Sequence, residues 1–120
     1  MTNIEGMLRE YLQSKLGVPV FVAVPENPPK TFVTVERTGG ASNPPLYDNP
    51  TVVVDYWSDT RSNAWALANR GDNALYMFKF EPNIVDVEFD VSCVHYPDER
   101  MKGERYESTY LITTYMKQRR

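Results

Sequence analysis

Residues 31–69 read T-F-V-T-V-E-R-T-G-G-A-S-N-P-P-L-Y-D-N-P-T-V-V-V-D-Y-W-S-D-T-R-S-N-A-W-A-L-A-N, and the reading of this stretch decides the fold. In residues 31–38, Val33 and Val35 share one face while Phe32, Thr34 and Glu36 share the other, the period of two expected of a strand. Gly39-Gly40 reads as its end. Residues 39–50 hold Pro44, Pro45 and Pro50 among asparagines and an aspartate, so a stiff, irregular crossing is predicted there. A second strand over 51–57 follows, with Val52, Val54 and Tyr56 on one side and Val53, Asp55 and Trp57 on the other. Both sides are largely apolar, whereas a strand in a two-layer domain needs one apolar face. The second face therefore requires cover, from another helix or from another chain.

Ser58-Asp59-Thr60 supplies three candidate N-caps for a helix over 60–78, whose stripe is Ala64, Leu67, Ala68, Gly71, Leu75 and Phe78. Gly71-Asp72-Asn73 is its weak point, because a glycine costs about 1 kcal/mol relative to alanine inside a helix. Upstream, Ile4, Met7, Leu8, Tyr11, Leu12 and Leu16 predict a helix over 3–16 that ends at Gly17. A strand over 18–24 follows, and Pro19 assigns it to an edge. Downstream, residues 84–94 alternate, with Val85, Val87, Phe89, Val91 and Cys93 expected inward and Asp86, Glu88, Asp90 and Ser92 outward. A charged loop then makes the protruding tip of a hairpin with a last strand over 105–116. The expected architecture is α+β: a single two-layer domain over 1–120, a mixed or antiparallel sheet of about five strands and two helices on one face, in the order α-β-β-β-α-β-β.

The 120 residues carry 16 acidic and 13 basic side chains, and this mild acidity argues against nucleic acid or an anionic membrane as the main partner. The basic end Lys117-Gln118-Arg119-Arg120 reads as a solvated terminus. With neither a leader pattern nor an apolar run of spanning length, a soluble chain made in the cytoplasm is expected. Cys93, the one cysteine, reads as a small core residue.

Candidate chemistry is sparse. His95 with Asp98 and Glu99 falls short of the convergent ligands that a tight metal site needs. A Cys93/His95 dyad lacks a third group to orient the imidazole. Asp86, Glu88 and Asp90 form a ladder on one strand face rather than a pair in a cleft. Gly39-Gly40 opens no helix and so lacks the setting of a phosphate-binding turn. No catalytic, metal or cofactor residue is assigned, and a small enzyme or ligand-binding domain stays a remote alternative. Around the hairpin tip Arg100, Lys102, Arg105 and Tyr106 are interleaved with Glu99, Glu104 and Glu107, which argues against sequence-specific nucleic-acid binding. Assembly remains. Val53, Trp57, Trp65, Tyr76, Tyr106 and Tyr110 exceed what two helices readily cover and are assigned to a subunit interface.

The helix ending K-L-G-V-P-V, the strand T-F-V-T-V-E-R-T-G-G, the proline-bearing crossing and V-V-V-D-Y-W-S-D-T-R-S-N-A-W-A-L-A together resemble the tail terminator proteins of long-tailed phages, also described as tail completion, head–tail joining or minor tail proteins. The resemblance implies a structural subunit that forms a sixfold ring at the head-proximal end of the tail tube, stops its polymerisation and presents a surface to the head connector. It implies no active site and no cofactor. The partners implied are other copies of the chain, the tail tube protein and the connector, with assembly in the host cytoplasm and residence in the tail or neck of the virion. Arg37, Asn43, Leu46, Tyr47, Arg100, Lys102 and Arg105 are the residues assigned to the tube or connector surface. A head-completion or connector subunit of the neck is the alternative.

Overall fold

The computed structural model describes residues 3–43 and 46–116, apart from the side chains of residues 42 and 43. In chain order the elements are α1 (Ile4–Leu16), β1 (Val20–Phe21), β2 (Phe32–Asn43), β3 (Tyr47–Ser58), α2 (Arg61–Phe78), β4 (Ile84–His95) and β5 (Glu104–Tyr115). They form one five-stranded mixed sheet in the order β1-β2-β3-β5-β4, with β1 parallel to β2 and the remaining pairs antiparallel. Both helices lie on one face: α2 crosses β3, β5 and β4, while α1 packs beside it over β1 and β2. The α+β order read from the sequence is the observed one.

The helix ends follow from local chemistry. Asn3 Oδ1 accepts from Gly6 N at 3.1 Å, and Gly17 closes α1 at φ 69°, where a side chain would be strained. Of the three candidate caps before α2, Thr60 takes the role, accepting from Asn63 N at 3.1 Å. Ser58 instead ends β3 and shares a 3.0 Å hydrogen bond with Thr31, and Asp59 accepts from Asn63 Nδ2. α2 runs unbroken through Gly71. A Cβ at that position would stand 2.1 Å from the Tyr56 ring, so the glycine lets the helix lie directly on the sheet.

Four expectations are corrected. First, β1 is two residues long rather than seven; it is held where β2 begins by Val33 N donating to Pro19 O at 3.0 Å. Second, the predicted crossing is the far half of a β2–β3 hairpin. The chain does not stop at Gly39-Gly40; a register shift between Arg37 and Gly39 absorbs the irregularity, and pairing resumes from Gly39↔Thr51 to Asn43↔Tyr47. Gly40, at φ 100°, has no room for a Cβ, which would meet Asn49 O at 2.0 Å. The expected turn residues Pro44 and Pro45, like the basic end 117–120, lie outside the described residues.

Third, β4 does not keep its alternation. Shifts between Ile84 and Asp86, Phe89 and Val91, and Val91 and Val94 redirect its side chains. Phe89 and Cys93 stay toward the helices, but Val91 pairs with Thr109 and Val94 with Glu107, which turns both valines to the opposite face. As the outermost strand, β4 leaves Val85, Phe89, Val91 and Val94 exposed. Fourth, the β4–β5 loop folds back instead of protruding. Gly103 packs on the Ser58 backbone, and Arg105 Nε donates to Tyr96 O at 2.6 Å.

Candidate functional site

Strand register divides the residues of the sheet between a helix-covered face and an open one. On the covered side Val33, Val35, Val52, Val54, Tyr56 and Tyr110 are buried with α1 and α2. Beneath Gly71 the hydroxyls of Tyr56 and Tyr110 lie 2.8 Å apart, Tyr110 donates to Asp72 Oδ1, and Cys93 Sγ donates to Asp72 Oδ2 at 3.2 Å. Burial, and then the neighbouring Asp72 carboxylate, push the Cys93 thiol up to about 11, so it stays protonated and unreactive. Burial likewise raises both tyrosines. This is a closed network whose members satisfy one another.

Among the described residues no helix lies on the open side. Glu36, Val53, Asp55, Glu107, Thr109, Leu111 and Thr113 face it from β2, β3 and β5, and β4 adds Asp86, Glu88, Val91 and Val94. At its centre Asp55 stands directly across from Glu107. Burial, then a hydrogen bond to Glu107 and its charge, raise the Asp55 carboxyl to about 8, with Arg105 opposing from 3.8 Å. Asp55 Oδ1 is buried with no donor in reach; a proton held between the two carboxyls supplies the missing one.

One end of this face is roofed. Trp57 stacks on Phe32 at 5.3 Å with the rings 4° apart, and the Arg105 guanidinium lies 4.8 Å from the indole and 4.3 Å from the Tyr96 ring. The loops around residues 26–30 and 100–103 leave a cleft of about 560 Å³ above Phe32 and Trp57. Its cations are largely matched internally: Lys30 pairs with Asp59 at 3.3 Å and Arg100 with Asp98 at 2.9 Å. These pairings, with hydrogen bonds from Asn63 to Asp59 and from Arg100 to Asp98 the largest causes, hold both carboxyls down at about 2. Glu26 and Asp59 line the cleft together with Lys30, Arg100 and Lys102, so charges of both signs meet in it. His95 pairs with Glu104 at 3.3 Å rather than with Asp98, and among the described residues no three His, Cys, Asp or Glu side chains are grouped to hold a metal ion. No helix among them is long and apolar enough to cross a membrane.

The residues assigned to interfaces from sequence separate into two groups. Trp57, Tyr106 and Tyr110 are buried within the protomer, at 3%, 6% and 0% exposure, because the loop roof covers Trp57 and α2 covers the two tyrosines. They offer no surface to a neighbour. Val53 is half-buried on the open face, and Trp65 and Tyr76 project outward from α2. In the tube or connector group, Arg37 is committed to its own hairpin: Nη1 and Nη2 donate to Asp48 at 2.7 and 3.0 Å, and its raised pKa follows mainly from that bond. Arg105 is held inside the roof. Leu46 is exposed at the hairpin turn with Tyr47 beside it, Asn43 ends β2, and Arg100 and Lys102 sit on the folded loop.

No known family and no curated protein matches the chain. Among solved structures it is similar to a chain of the "Virion of native gene transfer agent (GTA) particle", with a TM-score of 0.64 over 87% of this chain and 84% of that one, at 19% identity. The likeness is one of fold. Sequence reasoning had missed Phe80, which continues the exposed line of Trp65 and Tyr76 at four-residue spacing past the end of α2, a signal present in the sequence. It also missed the Asp55–Glu107 pair, because strand register across some fifty residues has no local signature.

Proposed function

We propose that the protein is a structural subunit of a phage-like virion, forming a ring with copies of itself at the head-proximal end of the tail tube. The ring would stop tube polymerisation and present the joining surface to the head connector, and the chain would reach this place after synthesis in the host cytoplasm. The observation that carries the reading is the uncovered sheet face: a two-layer protomer that leaves Val53, Val91, Val94 and Leu111 with no helix over them is one that another chain completes. The fold shared with a chain of a virion particle supports it further. The hairpin end with Asn43, Leu46 and Tyr47 and the loop with Arg100 and Lys102 are the surfaces assigned to the tube or connector. Arg37 and Arg105 support those surfaces from within. The reading assigns no catalysis and no cofactor.

Light scattering across a range of concentrations, with and without the tail tube protein, tests it. Ring-sized species in either condition are expected, and a chain that stays monomeric in both overturns the reading. Capture of the connector alone, with no affinity for the tube, would reassign the protein to the head-completion subunits of the neck.

A further inference from the structure

Resting on the ring reading above, we propose that the outer face of α2 in one copy seats on the open sheet face of the next, so that two different patches of one protomer close the ring. The two surfaces complement one another in both apolarity and charge. Outward from α2 project Trp65, Tyr76, Met77 and, just past its end, Phe80, each more than half exposed and Phe80 at 67%. Trp, Tyr and Met are types enriched at protein interfaces, and Trp and Tyr dominate their energetics. The same face is cationic. Lys79 stands within it, its Nζ 3.9 Å from the Tyr76 ring and 5.3 Å from that of Phe80. Arg61 and Arg70 flank it and keep their charge but donate inward to the Tyr106 hydroxyl and the Leu16 carbonyl. The single carboxylate of α2, Asp72, is turned inward to Tyr110 and Cys93, and Glu81 beyond the helix lies toward Tyr11. Nothing on α2 neutralises its outer charge.

The open sheet face has the opposite sign. Glu36, Asp86, Glu88 and Glu107 face it as carboxylates beside a protonated Asp55, against Arg105 alone among the described residues, whose Nε is engaged by the Tyr96 carbonyl. Between these carboxylates lie Val53, Val91, Val94 and Leu111, an apolar floor for the aromatic side chains. A helix lying on this sheet is also the packing that the covered face already uses. The two patches lie on opposite sides of a two-layer protomer, so their contact is heterologous and repeats from copy to copy. An isologous dimer cannot form this way, whereas a closed ring can.

Two variants divide the contact. Trp65→Glu with Phe80→Glu destroys the helix patch alone, and Glu36→Lys with Leu111→Lys destroys the sheet patch alone. All four positions are exposed, so both variants should melt close to the wild type, which circular dichroism checks. Sedimentation velocity, under conditions in which the wild type assembles, should find each variant alone monomeric, its self-association weakened about 100-fold or more. An equimolar mixture should give dimers and nothing larger, because each copy brings one intact patch. Assembly of either variant at wild-type strength, or a mixture that stays monomeric, overturns this pairing while leaving the ring reading standing. A wild type that never associates overturns both.

Discussion

Alternate residues of β3 enter two different environments. Val52, Val54 and Tyr56 are fully buried under α2, while Val53 and Asp55, one position away, lie half-buried on a side with no helix. Polar groups on the covered side are closed into the Tyr56, Tyr110, Asp72 and Cys93 network, whereas the open side sets two carboxyls, Asp55 and Glu107, directly against each other. The contrast teaches that the chain completes one face by itself and leaves the other to be completed from outside. On the proposed function, stability is concentrated on the first and assembly on the second, so substitutions on the two faces should report through different measurements.

The sharpest break is Gly71→Ala. The new methyl would overlap the Tyr56 ring, α2 would have to lift, and chemical denaturation should register a loss of about 3 kcal/mol. An unchanged midpoint would mean that α2 does not lie on the sheet as closely as described. Arg37→Ala removes the bidentate partner of a buried carboxylate, Asp48, and should cost about 3 kcal/mol, read in the same way. Tyr110→Phe takes a donor from Asp72 and is expected to cost about 2 kcal/mol with little effect on association.

Asp55→Asn probes the other face through pH. The Asp55 carboxyl is raised from 3.8 to about 8, so the folded state binds its proton more tightly than the unfolded state does. Its favourable contribution is complete below the unfolded value and is lost as pH rises through the folded one. The asparagine variant should therefore gain about 1–2 kcal/mol over the wild type at pH 9 and show no such gain at pH 4, measured by thermal unfolding at both. An advantage equal at the two pH values would argue against a proton shared with Glu107. Leu111→Thr, smallest of the set, should shift stability by less than about 0.5 kcal/mol while weakening association.

Much of the frame was legible, and the reasons for the rest are specific. α1 and α2 declare themselves because 3.6-residue periodicity is local: the apolar stripes Ile4-Leu8-Leu12 and Ala64-Leu67-Ala68-Gly71-Leu75 are the buried ones. The far half of the β2–β3 hairpin was hidden because Gly39, Gly40 and three prolines resemble a loop, and what keeps the arms paired is contact with residues four to twelve positions away. In β4 the residues alternate but the backbone does not, since its register shifts are set by pairing with β5. Tyr106 and Tyr110 read as subunit-interface residues because their register with β3, which places them under α2, is nonlocal. At the candidate site, Trp65 and Tyr76 were readable as lying off the buried stripe. The acidic character of the open face depends on the register of four strands, β2, β3, β5 and β4.

The irregularities of β4 bear on how a free protomer waits for its partners. A straight strand at the rim of a sheet is a template that any extended peptide can join, with fibres as the outcome. Three register shifts within twelve residues, together with Asp86, Glu88 and Asp90, leave no long even row of amides and carbonyls for an incoming strand. Copies are therefore discouraged from zipping together along this edge before they meet through their faces as proposed.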